Sequence, residues 1–300
     1  MKFKNIKYDI MYKVLTGLLI NFLICCVTTI SAQTIEETLK FGKEMYARGN
    51  YEAAIPAFER VIYFDDQEFS SKAFHLLADA YYETGDFRRA ISYYDLAYYA
   101  TEDEEDKLTF LLKKSFLLIV EGNYIRARME LFSIDEPGDP KFANQYNFFL
   151  ALSYFQVLEF ENSKDYFLKI QTSDSIFYKQ EIENIFENNK RIDRLNPRTA
   201  RIMSMIIPGS GQFYAGDIRG GLNSLLLTAG IVAIGYSTAL TLSWVDASIT
   251  YFPWFMRYYM GGYGNAAEAV RIRKDDLRSD LLLDLINLVE ENQYPNVEEN

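Results

Sequence analysis

The chain has only two cysteines, Cys25 and Cys26, and one histidine, His75, in 300 residues. Both cysteines lie in an N-terminal apolar stretch, so the rest of the chain must be stable by packing, without thiol, disulfide or cysteine-ligated metal. A single histidine excludes a multi-histidine metal centre. Ser70 and Ser71 near His75 fall at a helix start, where hydroxyls serve as caps and not as nucleophiles of a Ser/His/Asp set. The acidic run 102–106 lacks the spaced oxygen ligands and turn glycine of a calcium loop. Pro208-Gly209-Ser210-Gly211 lacks the Gly-Lys-Ser/Thr ending of a phosphate loop. A basic surplus is missing as well: the net charge is −11, and because residues 1–32 carry +3 and residues 191–300 carry −2, residues 33–190 carry −12. Such a surface repels phosphate backbones, which argues against nucleic acid. No catalytic constellation, cofactor or metal is expected.

What is present begins with a targeting segment. Lys2, Lys4, Lys7 and Lys13 precede the apolar run 14–30, which ends in Ser31-Ala32-Gln33. This pattern predicts a secretory signal over residues 1–32, cleaved after Ala32; an uncleaved anchor is the alternative. Neither cysteine follows the small residue that lipoprotein processing requires. In both readings the segment that follows is exported.

Residues 33–195 repeat. Gly49-Asn50-Tyr51-Glu52-Ala53-Ala54 recurs as Gly85-Asp86-Phe87-Arg88-Arg89-Ala90 and Gly122-Asn123-Tyr124-Ile125-Arg126-Ala127, and weakly as Leu158-Glu159-Phe160-Glu161-Asn162-Ser163, at spacings of 36, 37 and 36 residues. Apolar residues at three- and four-residue steps flank each phrase, as in Phe74, Leu77, Ala78 and Tyr81 before Gly85, which predicts paired helices. Glycine supplies a left-handed position ending the first helix, Asn or Asp caps the second, and the small residue lets the pair approach. These residues resemble the tetratricopeptide repeat, a helix-turn-helix unit of about 34 residues. The resemblance implies an all-α solenoid that binds peptides or protein segments. Four units are expected, joined by linkers at 63–70, 101–106 and 135–140. The second is the best match; in the third, Lys113 and Lys114 fall on an expected apolar face, and in the fourth Leu158 replaces the turn glycine.

In that family the first helices line a concave groove. Transferred position by position, this implies a groove of Lys43 and Tyr46, then His75, Asp79 and Tyr82, then Phe116, and finally Phe148, Leu152 and Phe155, polar at one end and aromatic at the other. The competing reading places the aromatics in the core, or beneath a capping helix at 175–195.

Residues 196–267 change character. Arg194, Arg198 and Arg201 mark an interface, and residues 222–244 carry no charge over a length that can cross a bilayer, which needs about 20 apolar residues. Between them, residues 202–214 read as a half-helix broken at Gly209 and Gly211. Gly230, Ala233, Gly235 and Ala239 are small enough for close helix contact, and ordinary transmembrane composition accounts for them as well. The aromatic stretch 251–260, with Arg257 inside it, reads as an interfacial belt or short second span, and residues 268–300 as an amphipathic helix with an acidic tail. The segments PGSGQFYAGD and YYMGGYGNAAEAVR resemble an uncharacterised bacterial membrane domain often attached to tetratricopeptide arrays. The resemblance spans about residues 198–274 and rests on Pro208, Gly209, Gly211, Gln212, Tyr214 and Gly216, with Gly262, Tyr263, Asn265 and Ala266. It implies a topology and no activity.

The combined expectation is a non-enzymatic, membrane-anchored adaptor or scaffold. Its repeats would stand in the periplasm, its anchor in the inner membrane, and its partner would be a protein or peptide of the cell envelope, with a role in envelope protein assembly. The alternative is a small transport or lipid-handling protein built around Arg257, which would sit at membrane depth, with the repeats as a docking module. Arg271, Arg273 and Lys274 favour a cytoplasmic C-terminus; a hairpin of two spans would return it to the periplasm.

Overall fold

The computed structural model describes residues 34–64, 69–172 and 174–293. The expected signal, with both cysteines, lies outside the described residues. Among these residues every regular element is a helix, so the all-α expectation holds. By Cα proximity the chain divides into two compact units, one ending at Ile134 and the other beginning at Asp135.

The first unit holds α1 (Ile35–Ala47), α2 (Tyr51–Phe64), α3 (Ser70–Glu83), α4 (Phe87–Ala100), α5 (Glu104–Val120) and α6 (Tyr124–Leu131). Within this unit consecutive helices pack on one another from α1 through α6, as in a solenoid of helix pairs. Gly49, Gly85 and Gly122 have φ between 72° and 78°, the left-handed region that ends the first helix of each pair. Ala54, Ala90 and Ala127 are fully buried at the crossings. Asn50 and Asp86 cap the second helices by accepting from the backbone N–H of Ala53 and Arg89, whereas the Asn123 side chain makes no capping bond. Phe58, Leu77 and Leu118 are fully removed from water in the shared core, each contributing roughly 1.5–3 kcal/mol. The acidic run 102–106 starts α5: Asp103 accepts from the N–H groups of Glu105 and Asp106, and the acids face the positive end of the helix.

Lys113 and Lys114, irregular in the sequence, are both used. Lys113 pairs with Asp79 of α3 at 2.7 Å. The Lys114 side chain, 7% exposed, bridges Asp95 of α4 and Glu130 of α6 at 2.5 and 2.9 Å. A lysine stem can lie along an apolar face while its ammonium reaches carboxylates at the edge.

The second unit holds α7 (Pro140–Gln156), α8 (Phe160–Lys169), α9 (Ser175–Asp193), α10 (Pro197–Ile206), α11 (Ser210–Ala215), α12 (Ile218–Thr241) and α13 (Trp244–Gln293). Leu158 takes the turn position between α7 and α8 at φ 65°, and Ser163 fills the crossing, its hydroxyl donating to the Ala151 carbonyl at 2.9 Å. Tyr178, Ile182 and Phe186 of α9 are buried, with Phe186 against Phe155 and Phe167, as a capping helix requires. Helix α12 is long and apolar enough to cross a membrane and is largely unburied. The expected belt and amphipathic helix are one continuous element of 50 residues, α13. Pro253 lies in its first turns, and the helix continues through its glycine cluster, where Gly262 packs against Ser224 of α12. Beyond that crossing α13 packs on α9 and α10, where Lys274 and Arg278 hold Asp193 at 3.2 and 2.6 Å.

Candidate binding groove and motif region

In the first unit, Tyr46, Asp79, Tyr82 and Phe116 line a cavity of about 260 Å³ together with Glu83, Tyr94, Lys113 and Leu117. Three first helices supply the four sequence-derived residues, because glycine-terminated pairs stacked in register bring successive odd helices side by side. Asp79 organises the floor: it accepts a hydrogen bond from Tyr94 Oη and pairs with Lys113. Burial, with Asp79 and Glu83 adding to it, pushes the Tyr46 phenol up to about 12, so its hydroxyl stays protonated and able to donate. Tyr94 is raised further, first by burial and then by Asp79. Two carboxylates therefore face one ammonium, and the Glu83 carboxylate has no ion-pair partner among the described residues. The volume lies below the roughly 300–1,000 Å³ of cofactor-sized pockets and suits an anchoring side chain.

The other sequence-derived groove residues fall elsewhere. Lys43 is exposed and does not line the cavity. His75 stacks on Phe110 with centroids 5.5 Å apart; burial, partly opposed by Asp79, lowers its pKa. In the second unit Phe148 is half-buried against Phe149 and Phe167, while Leu152 and Phe155 are only 8% and 4% exposed. The burial of Leu152 and Phe155 puts these two in the core and not on the expected aromatic end of the groove; Phe160 of α8 and Phe186 of α9 pack on Phe155.

The motif residues meet at a crossing of α10, α11, α12 and α13. Pro208 and Gly209 make the turn between α10 and α11; Gly209 has φ 92°, and a Cβ there would meet the Gly221 carbonyl of α12. Gly211 lies against the Ala200 carbonyl and Ser204 Oγ, leaving no room for a side chain. Gln212, 2% exposed, is the hub. Ser204 Oγ donates to Gln212 Oε1 at 2.8 Å, Gly211 N–H donates to Ser204 Oγ at 2.9 Å, and Gln212 Nε2 donates to the Gly262 carbonyl of α13 at 2.7 Å. Tyr214 Oη accepts from Asn196 N–H and donates to the Arg194 carbonyl, both at 3.2 Å, closing the α9–α10 turn. Gly216 ends α11 at φ 84°, and Asp217 caps α12 by accepting from Gly220 N–H at 2.8 Å. Ser204 and Tyr259, whose hydroxyl donates to the Met205 carbonyl at 2.7 Å, complete the crossing. Sequence reasoning missed both: Ser204 stands outside the motif phrase, and tyrosine is too common here to single out Tyr259. Arg257 is exposed on α13 and borders a separate polar cavity.

No cluster of three or more metal-ligating side chains occurs among the described residues. No curated protein matches this chain. Residues 71–104, which run from the start of α3 past the end of α4, match the tetratricopeptide repeat family, to which this stretch is similar.

Proposed function

We propose that the protein is a membrane-anchored adaptor whose repeat groove holds a segment of a protein partner in the cell envelope. A tetratricopeptide repeat suggests protein–protein interaction, and the cavity at Tyr46, Asp79, Tyr82 and Phe116 carries the reading. It offers aromatic walls, a phenol donor and an unpaired carboxylate at Glu83, which together suit an apolar or aromatic anchor residue flanked by a cation. The lysine-led N-terminus supports export to the periplasm.

Helix α12 supports the anchor. Its 24 residues span about 36 Å against a hydrocarbon core of about 30 Å. Leu226, Val232, Ile234 and Leu240 on α12, with Phe252 and Trp254 on α13, form an exposed apolar surface of the kind that lipid covers. Helix α13 runs antiparallel to α12, with Gly235 beside Tyr251 and Gly262 beside Ser224. The two therefore read as a transmembrane hairpin. Asp193 precedes the first span and is held by Lys274 and Arg278 after the second, which supports a C-terminus on the same side as α9. Two of the cations near the end of the hairpin are thereby spent on an internal pair, and this weakens their value as a cytoplasmic signal.

Photo-crosslinking from position 82 in intact membranes tests the groove: one discrete protein adduct, lost on Glu83→Lys, is expected, and no adduct at 82 with ordinary folding refutes it. A C-terminal tag tests the hairpin. It should be cleaved by protease in spheroplasts; protection until lysis would place the tail in the cytoplasm.

A further inference from the structure

A polar cavity of about 330 Å³ lies between the start of α12 and the middle of α13. Arg257, Asn223, Ser224, Tyr258 and Asn265 line it together with Gln212 and the carboxylate of Asp217. The pairings of Gly235 with Tyr251 and Gly262 with Ser224 put the Arg257 backbone level with Ala229 of α12. That is about 10 Å along the helix from Leu222, where the apolar run begins. A guanidinium at membrane depth costs roughly 2.5–3.5 kcal/mol on insertion scales unless it is partnered. Among the described residues Arg257 has no ion pair or hydrogen-bond partner. The nearby polar groups do not supply one: Gln212 is committed to Ser204 and Gly262, and Asp217 accepts from Gly220 at the start of α12. Ser224 Oγ is buried without a hydrogen-bond partner.

We propose that this cavity is a binding site for a phosphate ester, with the Arg257 guanidinium holding the oxyanion and Ser224, Asn223 and Asn265 donating to its remaining oxygens. A planar guanidinium offers a two-pronged match to phosphate, and three uncharged donors add bonds without adding a second charge to desolvate. The source favoured by the surroundings is a phospholipid head group. Directly beyond Arg257 the hairpin carries an apolar groove of about 280 Å³ past Ile231, Gly235, Tyr251 and Phe255, which an acyl chain attached to the bound phosphate would follow. This inference rests on the hairpin being inserted in a membrane and is independent of the repeat groove.

The test uses the full-length chain in detergent micelles, with dihexanoyl phosphatidylglycerol, dihexanoylglycerol and inorganic phosphate as probes, read by native mass spectrometry and melting temperature. Phosphatidylglycerol should bind and stabilise, dihexanoylglycerol should not, and Arg257→Gln should weaken binding about tenfold or more, with Arg257→Lys retaining part. Inorganic phosphate binding equally well, and lost in Arg257→Gln, supports the oxyanion site and assigns it to a soluble phosphate. Phosphatidylglycerol binding that survives Arg257→Gln, or is matched by dihexanoylglycerol, overturns the proposal. Should Arg257→Gln not fold, Asn265→Leu on the exposed rim replaces it, and unchanged affinity in that variant counts against the site. Carbonate extraction of native membranes separates the two failures: a chain released into the supernatant refutes the hairpin, whereas an integral chain that binds none of the probes refutes the site alone.

Discussion

Replacing Gln212 by leucine removes the hub of the motif while keeping nearly the same volume. Two side-chain bonds are lost, from Ser204 Oγ to Gln212 Oε1 and from Gln212 Nε2 to the Gly262 carbonyl. Their consequences differ. Gly262 lies inside α13, so its carbonyl retains its in-helix partner and loses only a second bond, about 1 kcal/mol. Ser204 still accepts from Gly211, but its proton is left buried without an acceptor, which costs about 1–3 kcal/mol. Leucine returns about 1 kcal/mol by placing apolar surface where an amide stood. The expected net loss is about 2 kcal/mol. Both tryptophans of the chain, Trp244 and Trp254, lie in α13. Tryptophan emission during denaturant titration in micelles therefore follows the hairpin separately from the repeats, and a lower midpoint with unchanged slope reports the loss. Gln212→Glu sharpens the test. At neutral pH it sets a carboxylate against the Gly262 carbonyl, so the folded state raises that carboxyl's pKa, and this variant alone should gain stability as pH falls. A Gln212→Leu midpoint within about 0.5 kcal/mol of wild type, the range of ordinary surface changes, refutes the network as a source of stability.

Gly211→Ala should cost more than Gly216→Ala in the same assay. The first drives a methyl into the Ala200 carbonyl, whereas the second meets no atom within 4 Å and costs only the left-handed strain of about 1–2 kcal/mol; the reverse order would contradict the crossing. Leu158→Gly should stabilise the second unit by up to about 1 kcal/mol, since the side chain is 56% exposed and φ is 65°; a lower melting temperature would show that Leu158 packs usefully. Lys114→Ala should destabilise the first unit by about 2–4 kcal/mol in thermal melts, less than a fully buried pair because Asp95 and Glu130 are partly exposed. Lys114→Met, which keeps the stem, should recover part of that, and equal losses would show that the charge alone matters. For His75 the folded pKa lies below the unfolded value of about 6.5, so the unfolded chain takes up the proton first and stability falls as pH drops through that value. His75→Phe should flatten that part of the profile; an unchanged slope would remove His75 from the pH dependence.

The first three repeats are legible because three signals agree at each turn: a glycine for the left-handed position, a small residue at the crossing and apolar spacing on both sides. Four of the six groove positions expected in the first unit line its cavity, since stacking carries register from one pair to the next. The expectation ends at Leu152 and Phe155, because helical periodicity marks a buried face without naming what buries it; for Phe155 that includes Phe186 of α9. Lys113 and Lys114 looked like errors in the pattern for a related reason. Sequence periodicity assigns a face to the stem of a lysine, and only the structure shows that Asp79, Asp95 and Glu130 sit at the edges of that face.

Position 158 shows how far a local rule reaches. The pattern asks for glycine there, the chain offers leucine, and the backbone still adopts the left-handed turn, so packing around Ser163 and Phe167 outweighs a strain of about 1–2 kcal/mol. The motif obeys the opposite logic, in which local identity is decisive. Gly209 and Gly211 exclude side chains where four helices meet, and three of its polar residues bond to backbone: Gln212 to Gly262, Tyr214 to Arg194 and Asn196, Asp217 to Gly220. A glutamine in an apolar segment invites a reading as a binding residue, but this amide is held inside the fold at both ends, by Ser204 at its oxygen and by Gly262 at its nitrogen. The same accounting leaves Arg257, Ser224 and Thr228 of the hairpin without a partner inside the fold among the described residues, and of these Arg257 and Ser224 line the cavity beside the motif.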